Sequence, residues 1–287
     1  MSRAAAGGRV VIGHLFPDEL NLYGDHGNVE TLVRRAAWRG IVAEVRGIRT
    51  GDDALLRGVD ILFIGGGADR HQRAVSEGLI ALAPALRGAL ADGAALLAVC
   101  AGYQNLGHVY RSPLVGEVRG PGLLDVETDV PVGVERIVGG VVVELAPEVP
   151  VAATGSRRLV GFENHSGHTR LGPSMRPLGQ VLVGRGNDST SRTEGAIALP
   201  GEGGVAGLRI GTYLHGPLLP RNPHLADLVL AAGMGRGKVT ALSPLPDERE
   251  WLAHRTFEAD WTAIKPGVHR RSRIGRSAER LRSLIGF

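Results

Sequence analysis

The stretch AALLAVCAGYQ, residues 94–104, joins a continuous apolar run to a cysteine and then to a glycine-containing turn. A run of this length suits a strand, and continuous rather than alternating apolarity is typical of a strand covered on both faces. The residues after Cys100 favour a helix. We therefore predict a buried strand that ends at Cys100 and turns sharply into a helix. Such a turn presents the thiol at the carboxyl end of a parallel sheet.

The residues before this stretch alternate between apolar runs and helical segments. Strand-like runs occupy residues 10–16, 41–48 and 60–64, and helical patterns occupy residues 28–39 and 73–92. We expect the second helical region to be broken near Pro84, because proline lacks the backbone N–H of an interior helical turn. Strands that alternate with helices predict βαβ units and a parallel sheet.

After about residue 123 the pattern changes to strands with little helix between them. Strand-like runs occupy residues 137–145, 159–163, 180–184, 195–199 and 205–214, and helical patterns return at residues 223–232 and 247–265. We expect the later strands to extend the sheet as antiparallel strands and hairpins. The predicted fold class is α/β, with a mostly parallel sheet that is flanked by helices and extended by antiparallel strands.

The composition indicates a soluble globular protein. The chain has 287 residues, 43% of them apolar, and a formal net charge of +4. Its single cysteine excludes a disulfide framework and a cysteine-rich zinc site, which makes the reducing cytoplasm the expected location. We found no uninterrupted apolar run near the ~18 residues of a membrane span, and no signal-peptide pattern at residues 1–16.

The excess of positive charge lies in the last part of the chain, mostly in residues 269–282. We predict one α/β domain over residues 1–236 and a helical appendage over residues 237–287. Its basic end, residues 266–287, is expected to be mobile. No interleaved aromatic residues or groove-reading motif accompany the charge, so we expect no nucleic-acid binding.

Two other segments are expected to place a histidine and a glycine loop at the same edge of the sheet as Cys100. Residues 205–217 (VAGLRIGTYLHGP) read as an apolar strand that ends near His215, and residues 63–70 (FIGGGADR) place three glycines directly after a strand. A cysteine nucleophile needs a nearby base, and glycines let backbone N–H groups turn toward a ligand. Taken singly, Cys100 and His215 are each better explained as buried structural residues. The glycines match neither a phosphate loop nor a dinucleotide fingerprint, so we recognise no nucleotide site.

Together these motifs resemble those of the class I glutamine amidotransferases, in the branch that includes cobyric acid synthase domains. A narrower similarity is to the GatD family, the glutaminase subunits of lipid II isoglutaminyl synthase. It rests on five motifs in order: DELNLYGDHGN (18–28), FIGGGADR (63–70), CAGYQ (100–104), VGFENH (160–165) and GTYLHGPLLP (211–220). The resemblance covers about residues 10–235 and implies a flavodoxin-like sheet.

The resemblance implies a role for five residues. Cys100 is the nucleophile that forms a γ-glutamyl thioester, and His215 is the base that takes the thiol proton and later activates water. The backbone N–H groups of Gly66 and Ala101 form the oxyanion hole. Arg136 holds the substrate glutamine, since its guanidinium fork fits the α-carboxylate.

One departure from the wider class concerns the acid that orients the histidine. Many members carry a glutamate two residues after it, where this chain has Pro217. Either Cys100 and His215 work as a pair, or the acid comes from elsewhere. Asp18, Asp25 and Glu163 are internal alternatives, and a carboxylate of a partner chain is another.

The resemblance also implies partners. A separate ATP-dependent, Mur-ligase-like synthetase subunit (MurT-like) forms a heterodimer with the glutaminase, binds ATP and Mg²⁺, and contacts lipid II during peptidoglycan synthesis. We expect no cofactor, no metal and no membrane insertion in this chain. His165 and His168 lack ligand companions at metal-site spacing, so a loop that shapes the glutamine pocket or contacts the partner is favoured. The alternatives are a glutaminase that serves another synthetase, as in cobyric acid amidation, and a non-catalytic scaffold.

Overall fold

The structure is a computed structural model that describes residues 8–151 and 156–262. Its first part alternates strands and helices: β1 (Arg9–Leu15), α1 (His26–Ala37), β2 (Val42–Ile48), β3 (Ile61–Ile64), α2 (Gln72–Ala91), β4 (Ala95–Val99) and α3 (Ala101–Asn105). Each strand predicted from an apolar run in this part is present. The predicted βαβ organisation is therefore confirmed.

The next part consists of short strands. They are β5 (Val109–Ser112), β6 (Gly116–Arg119), β7 (Val126–Asp129), β8 (Ile137–Leu145), β9 (Arg158–His165), β10 (His168–Leu171), β11 (Gly179–Val183), β12 (Thr193–Glu194), β13 (Ala196–Ala198) and β14 (Arg209–Thr212). Three helices follow: α4 (Leu218–Arg221), α5 (Pro223–Gly235) and α6 (Glu248–Thr262).

The strands form three sheets within the described residues. The central sheet has the order β13-β14-β4-β3-β1-β2, and all of its strands are parallel except β13, which is antiparallel to β14. The other strands form two four-stranded sheets, β10-β7-β5-β6 and β12-β11-β8-β9. The α/β class is confirmed, and one antiparallel strand extends the main sheet as predicted. The division of the remaining strands into separate sheets was not predicted.

The register of the central sheet determines where the functional segments emerge. Ile64, the last residue of β3, lies beside Ala98, and Val99, the last residue of β4, lies beside Thr212. The chain therefore leaves β3, β4 and β14 at the same edge. Because β3 and β4 are buried along their whole length, this edge is supported by a close-packed core.

The predicted break in the second helix was wrong. Helix α2 continues from Gln72 to Ala91 with Pro84 inside it. Proline removes the hydrogen bond to the carbonyl four residues earlier, here that of Ile80. Both Pro84 and Ile80 are on the exposed side of the helix, where water can bind the unpaired carbonyl.

Helix α2 is relevant to the expectation that no segment of this chain inserts into a membrane. Residues Asp69–Ala91 are long and apolar enough to cross a membrane, judged by length and composition alone. This segment was not predicted, because charged residues such as Glu77 and Arg87 interrupt its apolar run. Half of the apolar window is buried, and Val75, Leu79, Leu82 and Leu86 belong to the hydrophobic core, as in a core helix.

Helix α6 lies within the predicted helical stretch 247–265 and packs against α4, β8 and β9. The division into a domain and an appendage stays a prediction. The predicted mobile tail, residues 266–287, lies outside the described residues.

Candidate active site

Cys100 occupies a strained turn between β4 and α3. Its backbone has φ 49° and ψ −105°, a conformation that a residue with a Cβ adopts at a cost of about 1–3 kcal/mol. Its N–H donates to the Thr212 carbonyl over 2.8 Å, and its own carbonyl accepts from the Gln104 N–H over 3.0 Å. These bonds hold the turn, and the thiol lies at the carboxyl edge of the sheet with 8% of the residue exposed.

His215 is held at the same edge by backbone pairing with β9. Its N–H donates to the Phe162 carbonyl over 2.7 Å, and its carbonyl accepts from the Phe162 N–H over 3.2 Å. The residue is fully buried, and the Tyr23 ring contacts the imidazole edge-on with a centroid separation of 5.1 Å. The imidazole therefore has a defined position although its chain segment follows the end of a strand.

Gly66 shows that the predicted pair is assembled. A Cβ built on Gly66 would lie 2.6 Å from His215 Cε1, 3.4 Å from Cys100 Cβ and 3.2 Å from Asp25 Oδ2. The imidazole, the cysteine and a carboxylate thus converge on one backbone position in the glycine loop. The structure brings Cys100 and His215 together across 115 residues of sequence, as the strand-end argument predicted.

The electrostatics of His215 favour its protonated form. Burial lowers the pKa of His215, but negative charge on the Cys100 sulfur and on the Asp25 carboxylate raises the pKa well above its ordinary value of 6.5. The imidazolium is therefore the favoured form of His215 when the neighbouring sulfur carries negative charge. A thiolate is the nucleophilic form of cysteine, and an imidazolium can protonate a leaving group.

The two predicted oxyanion donors differ in their present contacts. Among the described residues, the Ala101 N–H has no hydrogen-bond acceptor. The Gly66 N–H donates to Asp25 Oδ2 over 2.5 Å. The Gly66 N–H therefore lies in the predicted glycine loop, but the Asp25 carboxylate already accepts its hydrogen bond.

Of the three internal acids proposed to orient His215, the structure supports one. Asp25 Oδ2 lies 3.8 Å from His215 Nδ1, and Asp25 is fully buried. Asp18 is paired with Arg49 at the surface. Glu163 accepts the backbone N–H groups of Arg185 and Gly186, both over 2.9 Å. Among the described residues, only Asp25 forms such a contact with His215, so the structure does not favour Asp18 or Glu163 in this role.

Arg136 lies at the exposed rim of the site. Its Nε donates to Asn164 Oδ1 over 2.5 Å, its Nη2 to the Asn164 carbonyl over 3.0 Å and its Nη1 to Ser166 Oγ over 3.3 Å. A guanidinium has five N–H groups, so one remains on each Nη. Two such groups form a fork that can bind a carboxylate bidentately, and the glutamine contact of Arg136 stays a prediction.

Tyr23 and Asn164 contribute contacts that we did not predict. Asn164 Nδ2 donates to the Tyr23 hydroxyl over 2.5 Å, which connects the rim at Arg136 to the ring that contacts His215. Tyr23 has a positive φ of 56° and is 48% exposed. Both residues lie inside quoted motifs, but no spacing rule relates two side chains that are 141 residues apart.

The histidines considered as metal ligands lie in other environments. His165 is buried, its Nδ1 contacts the Gly167 carbonyl over 2.8 Å, and its ring stacks on Tyr213 with a centroid separation of 3.6 Å. Across residues 8–151 and 156–262, no group of three His, Cys, Asp or Glu side chains is arranged to hold a metal ion. His165 packs in the interior against Tyr213.

Comparison with known proteins identifies the family. Residues 11–223 match the CobB/CobQ-like glutamine amidotransferase domain. This chain belongs to that family. The predicted recognition and the predicted glutamine amidotransferase class are both confirmed.

Two curated relatives are GatD subunits of lipid II isoglutaminyl synthase (glutamine-hydrolyzing). The Staphylococcus aureus protein is 36% identical over 77% of this chain and 83% of its own length. The Streptococcus pneumoniae protein is 31% identical over 75% of this chain and 76% of its own length. The cobyric acid synthase of Streptococcus sanguinis is 30% identical over 55% of this chain but only 28% of its own length.

A solved structure of a glutamine amidotransferase supports the fold. It is superimposed with a TM-score of 0.51 at 16% identity, over 77% of this chain and 98% of that chain. Together, the sequence relatives favour the GatD branch over the cobyric acid branch.

Proposed function

We propose that this chain is the glutaminase subunit of a lipid II isoglutaminyl synthase. The observation that supports this proposal is the convergence of Cys100, His215 and the glycine loop around Gly66. The similarity to two GatD subunits over most of their length supplies the substrate class. In this function the chain releases ammonia from L-glutamine and a partner consumes it.

The chemistry follows from the thiolate–imidazolium pair. The Cys100 sulfur attacks the carboxamide carbon of glutamine, and the carbonyl oxygen becomes an oxyanion that backbone N–H groups stabilise. His215 donates its proton to the departing nitrogen, so ammonia leaves and a γ-glutamyl thioester remains. His215 then takes a proton from water, which attacks the thioester, releases glutamate and regenerates the thiolate–imidazolium pair.

In this function Arg136 orients the substrate. Its two uncommitted N–H groups bind the α-carboxylate of glutamine and set the distance from the rim to the sulfur. Because this contact forms before and during the reaction alike, it contributes mainly to substrate binding.

The ammonia acceptor requires a second subunit. The relatives are named as subunits of a synthase. We propose a MurT-like synthetase that binds ATP and Mg²⁺, activates the α-carboxylate of D-glutamate in lipid II, and forms a heterodimer with this chain. The complex works in the cytoplasm, and contact with the membrane is made through the lipid substrate and the partner.

The test is amidation of lipid II by the complex of this chain with a co-expressed Mur-ligase-like subunit. With glutamine as nitrogen source, Cys100→Ala is expected to lower the rate by at least about 10³-fold, because no thioester forms. With ammonium chloride the same variant is expected to match the wild-type rate. This second arm shows that the variant folds and that the partner is intact.

Three results would contradict the proposal in different ways. Glutamine-dependent activity that survives in Cys100→Ala removes the nucleophile assignment. Glutamine hydrolysis that supports a different synthetase, without amidation of lipid II, favours the cobyric-acid-type alternative. No ammonia release and no Cys100 adduct with a glutamine-analogue electrophile, with the partner present, favour a scaffold.

A further inference from the structure

The geometry points to Asp25 as the positioning acid of His215, with one carboxylate oxygen that is shared between the imidazole and the Gly66 N–H. This inference rests on the proposed glutaminase function. It assigns to this chain the acid that Pro217 replaces at the usual position two residues after the histidine. It also relates the orientation of the histidine to the availability of an oxyanion donor.

Asp25 is at a helix start but does not cap it. It occupies the N-cap position of α1, where an aspartate normally accepts N–H groups of the first helical turn, yet it makes no such side-chain bond. Instead its carboxylate reaches the glycine loop 41 residues away. The carboxylate is fully buried, and burial of a charge is costly unless it has specific partners.

The two carboxylate oxygens have different partners. Asn28 Nδ2 donates to Oδ1 over 3.3 Å, and Asn28 is itself held because its Oδ1 accepts the Leu219 N–H over 2.8 Å. Oδ2 accepts the Gly66 N–H and faces His215 Nδ1 across 3.8 Å. One oxygen is thus anchored while the other lies between two donors.

A small rotation of the carboxylate has two effects. The 3.8 Å separation exceeds a hydrogen bond by roughly 1 Å, so Oδ2 must approach His215 Nδ1 to orient the imidazole. The same movement lengthens the contact with the Gly66 N–H and frees that donor for the oxyanion of the substrate. Orientation of the base and opening of the oxyanion hole therefore occur together.

Other polar groups near His215 are less suited to this role. Cys100 is the reaction partner, and Tyr23 presents its ring, with its hydroxyl bonded to Asn164. The buried Glu194 accepts Thr212 Oγ1 and the Tyr213 N–H, both over 2.7 Å. His165 contributes a ring that packs on Tyr213. His215 Nδ1 has no hydrogen-bond partner among the described residues, which leaves it available to Asp25.

The test compares Asp25→Asn with wild type in the complex with the synthetase subunit. The amide keeps the size of the side chain but removes its charge. We expect kcat for glutamine hydrolysis to fall about 100-fold, and KM for glutamine to change by no more than about twofold. We also expect the basic limb of the pH profile of kcat/KM to move to lower pH, because His215 loses the carboxylate that stabilises its protonated form.

Asp18→Asn is the matched control, since Asp18 is an exposed acid in the same loop and is paired with Arg49. It is expected to leave kcat and the pH profile unchanged. A second variant, Asp25→Glu, retains the carboxylate and is expected to keep the basic limb at its wild-type pH, with a kcat above that of Asp25→Asn.

Three outcomes overturn the inference. One is a wild-type kcat and pH profile in Asp25→Asn. Another is a displaced basic limb in Asp25→Glu. The third is a parallel loss of glutamine-dependent activity, ammonium-dependent activity and melting temperature in Asp25→Asn, which indicates a structural role only. The proposed function fails separately, through glutamine-dependent activity that survives in Cys100→Ala.

Discussion

At the scale of single residues, the absence of a side chain at Gly66 is what allows Cys100, His215 and Asp25 to approach each other. His215, Cys100 and Asp25 all lie within 3.4 Å of the position that a Cβ would take there. His215 is fully buried, and its backbone is paired with Phe162, so the imidazole has little room to retreat. A methyl group at this position therefore disrupts the site without removing a functional group.

We expect Gly66→Ala to lower glutamine hydrolysis by about 10²–10³-fold, the loss associated with a displaced oxyanion donor. Ammonium-dependent amidation by the complex should be unchanged. Gly88→Ala is the control, because a Cβ at Gly88 in α2 meets no atom within 4 Å, and it should retain full activity. Wild-type hydrolysis in Gly66→Ala would contradict the described convergence.

Arg136 provides a second prediction at this scale. Arg136→Lys keeps the positive charge but loses the planar fork, so we expect KM for glutamine to rise about tenfold with a smaller change in kcat. Steady-state kinetics of the complex measures both constants. Arg46→Lys, on β2 at the far edge of the central sheet, should leave KM unaltered. A lower kcat at constant KM would instead indicate a role in the transition state.

At the scale of elements, the contact between α6 and β8 explains how the last described helix is attached. The Trp261 ring lies directly over Gly140 in β8, so a Cβ at Gly140 would overlap it. His224 of α5 stacks on Trp251 of α6 with a centroid separation of 5.2 Å. Two aromatic contacts thus join α6 to the distant strand β8 and to the preceding helix α5.

We expect Gly140→Ala to displace Trp261 and to lower the free energy of unfolding by about 1–3 kcal/mol, the usual cost of overpacking. Urea denaturation followed by tryptophan fluorescence measures both effects. The adjacent Gly139 has open space at its Cβ position, so Gly139→Ala should be nearly neutral. Equal effects of the two substitutions would show that the Trp261 contact is unimportant.

At the scale of the whole molecule, Arg35 connects three parts of the chain. Its guanidinium, 2% exposed, bonds both oxygens of Asp227 in α5 and both oxygens of Asp247 just before α6. Burial lowers the pKa of Arg35, but these two carboxylates outweigh it and raise the pKa above its ordinary value. Helix α1 is therefore tied to the C-terminal helices by a buried ionic cluster.

Removal of this cation leaves two partly buried carboxylates without their main partner. We expect Arg35→Met to lower the free energy of unfolding by about 3–5 kcal/mol. Arg34→Met is the matched control, because Arg34 is exposed and pairs with Glu30 one turn away, and its cost should be at most about 1 kcal/mol. Chemical denaturation at pH 7 measures the free energy of unfolding of both variants. Equal losses in Arg35→Met and Arg34→Met would refute the central role of Arg35.

Buried histidines make the stability of the molecule depend on pH. Burial lowers the pKa of His14 to about 4, and that of His165 and His224 to about 3. Below the ordinary value of 6.5 the unfolded chain binds protons that the folded chain does not. The contribution of these buried neutral histidines to the free energy of unfolding is therefore complete above pH 6.5 and is lost as the pH falls toward 3.

The substitution His224→Phe removes one of these buried histidines, and with it one proton that the chain binds only when it is unfolded. We expect the pH dependence of its unfolding free energy between pH 6 and pH 4 to be shallower than in wild type by about 1.4 kcal/mol per pH unit. Burial raises the pKa of Glu163 and Glu194 to about 7, which opposes the histidines, but wild type and His224→Phe both retain that effect. Parallel slopes for His224→Phe and wild type would contradict the assignment.

The sequence by itself determined the features that depend on local patterns. Apolar periodicity identified the βαβ units, and the apolar run before Cys100, the three glycines before Ala68 and the strand before His215 placed the reactive groups at one sheet edge. This was predictable because the carboxyl ends of parallel strands share an edge whatever their separation in the chain.

Only the tertiary structure decided the contacts between segments without a common periodicity. It selected Asp25 over Asp18 and Glu163, placed the Asp25 carboxylate on the Gly66 N–H, kept α2 continuous through Pro84, and divided the later strands into separate sheets. These outcomes depend on which side chains and backbone groups meet in three dimensions and on which faces reach water. Neither property is encoded in the order of residues within a single element.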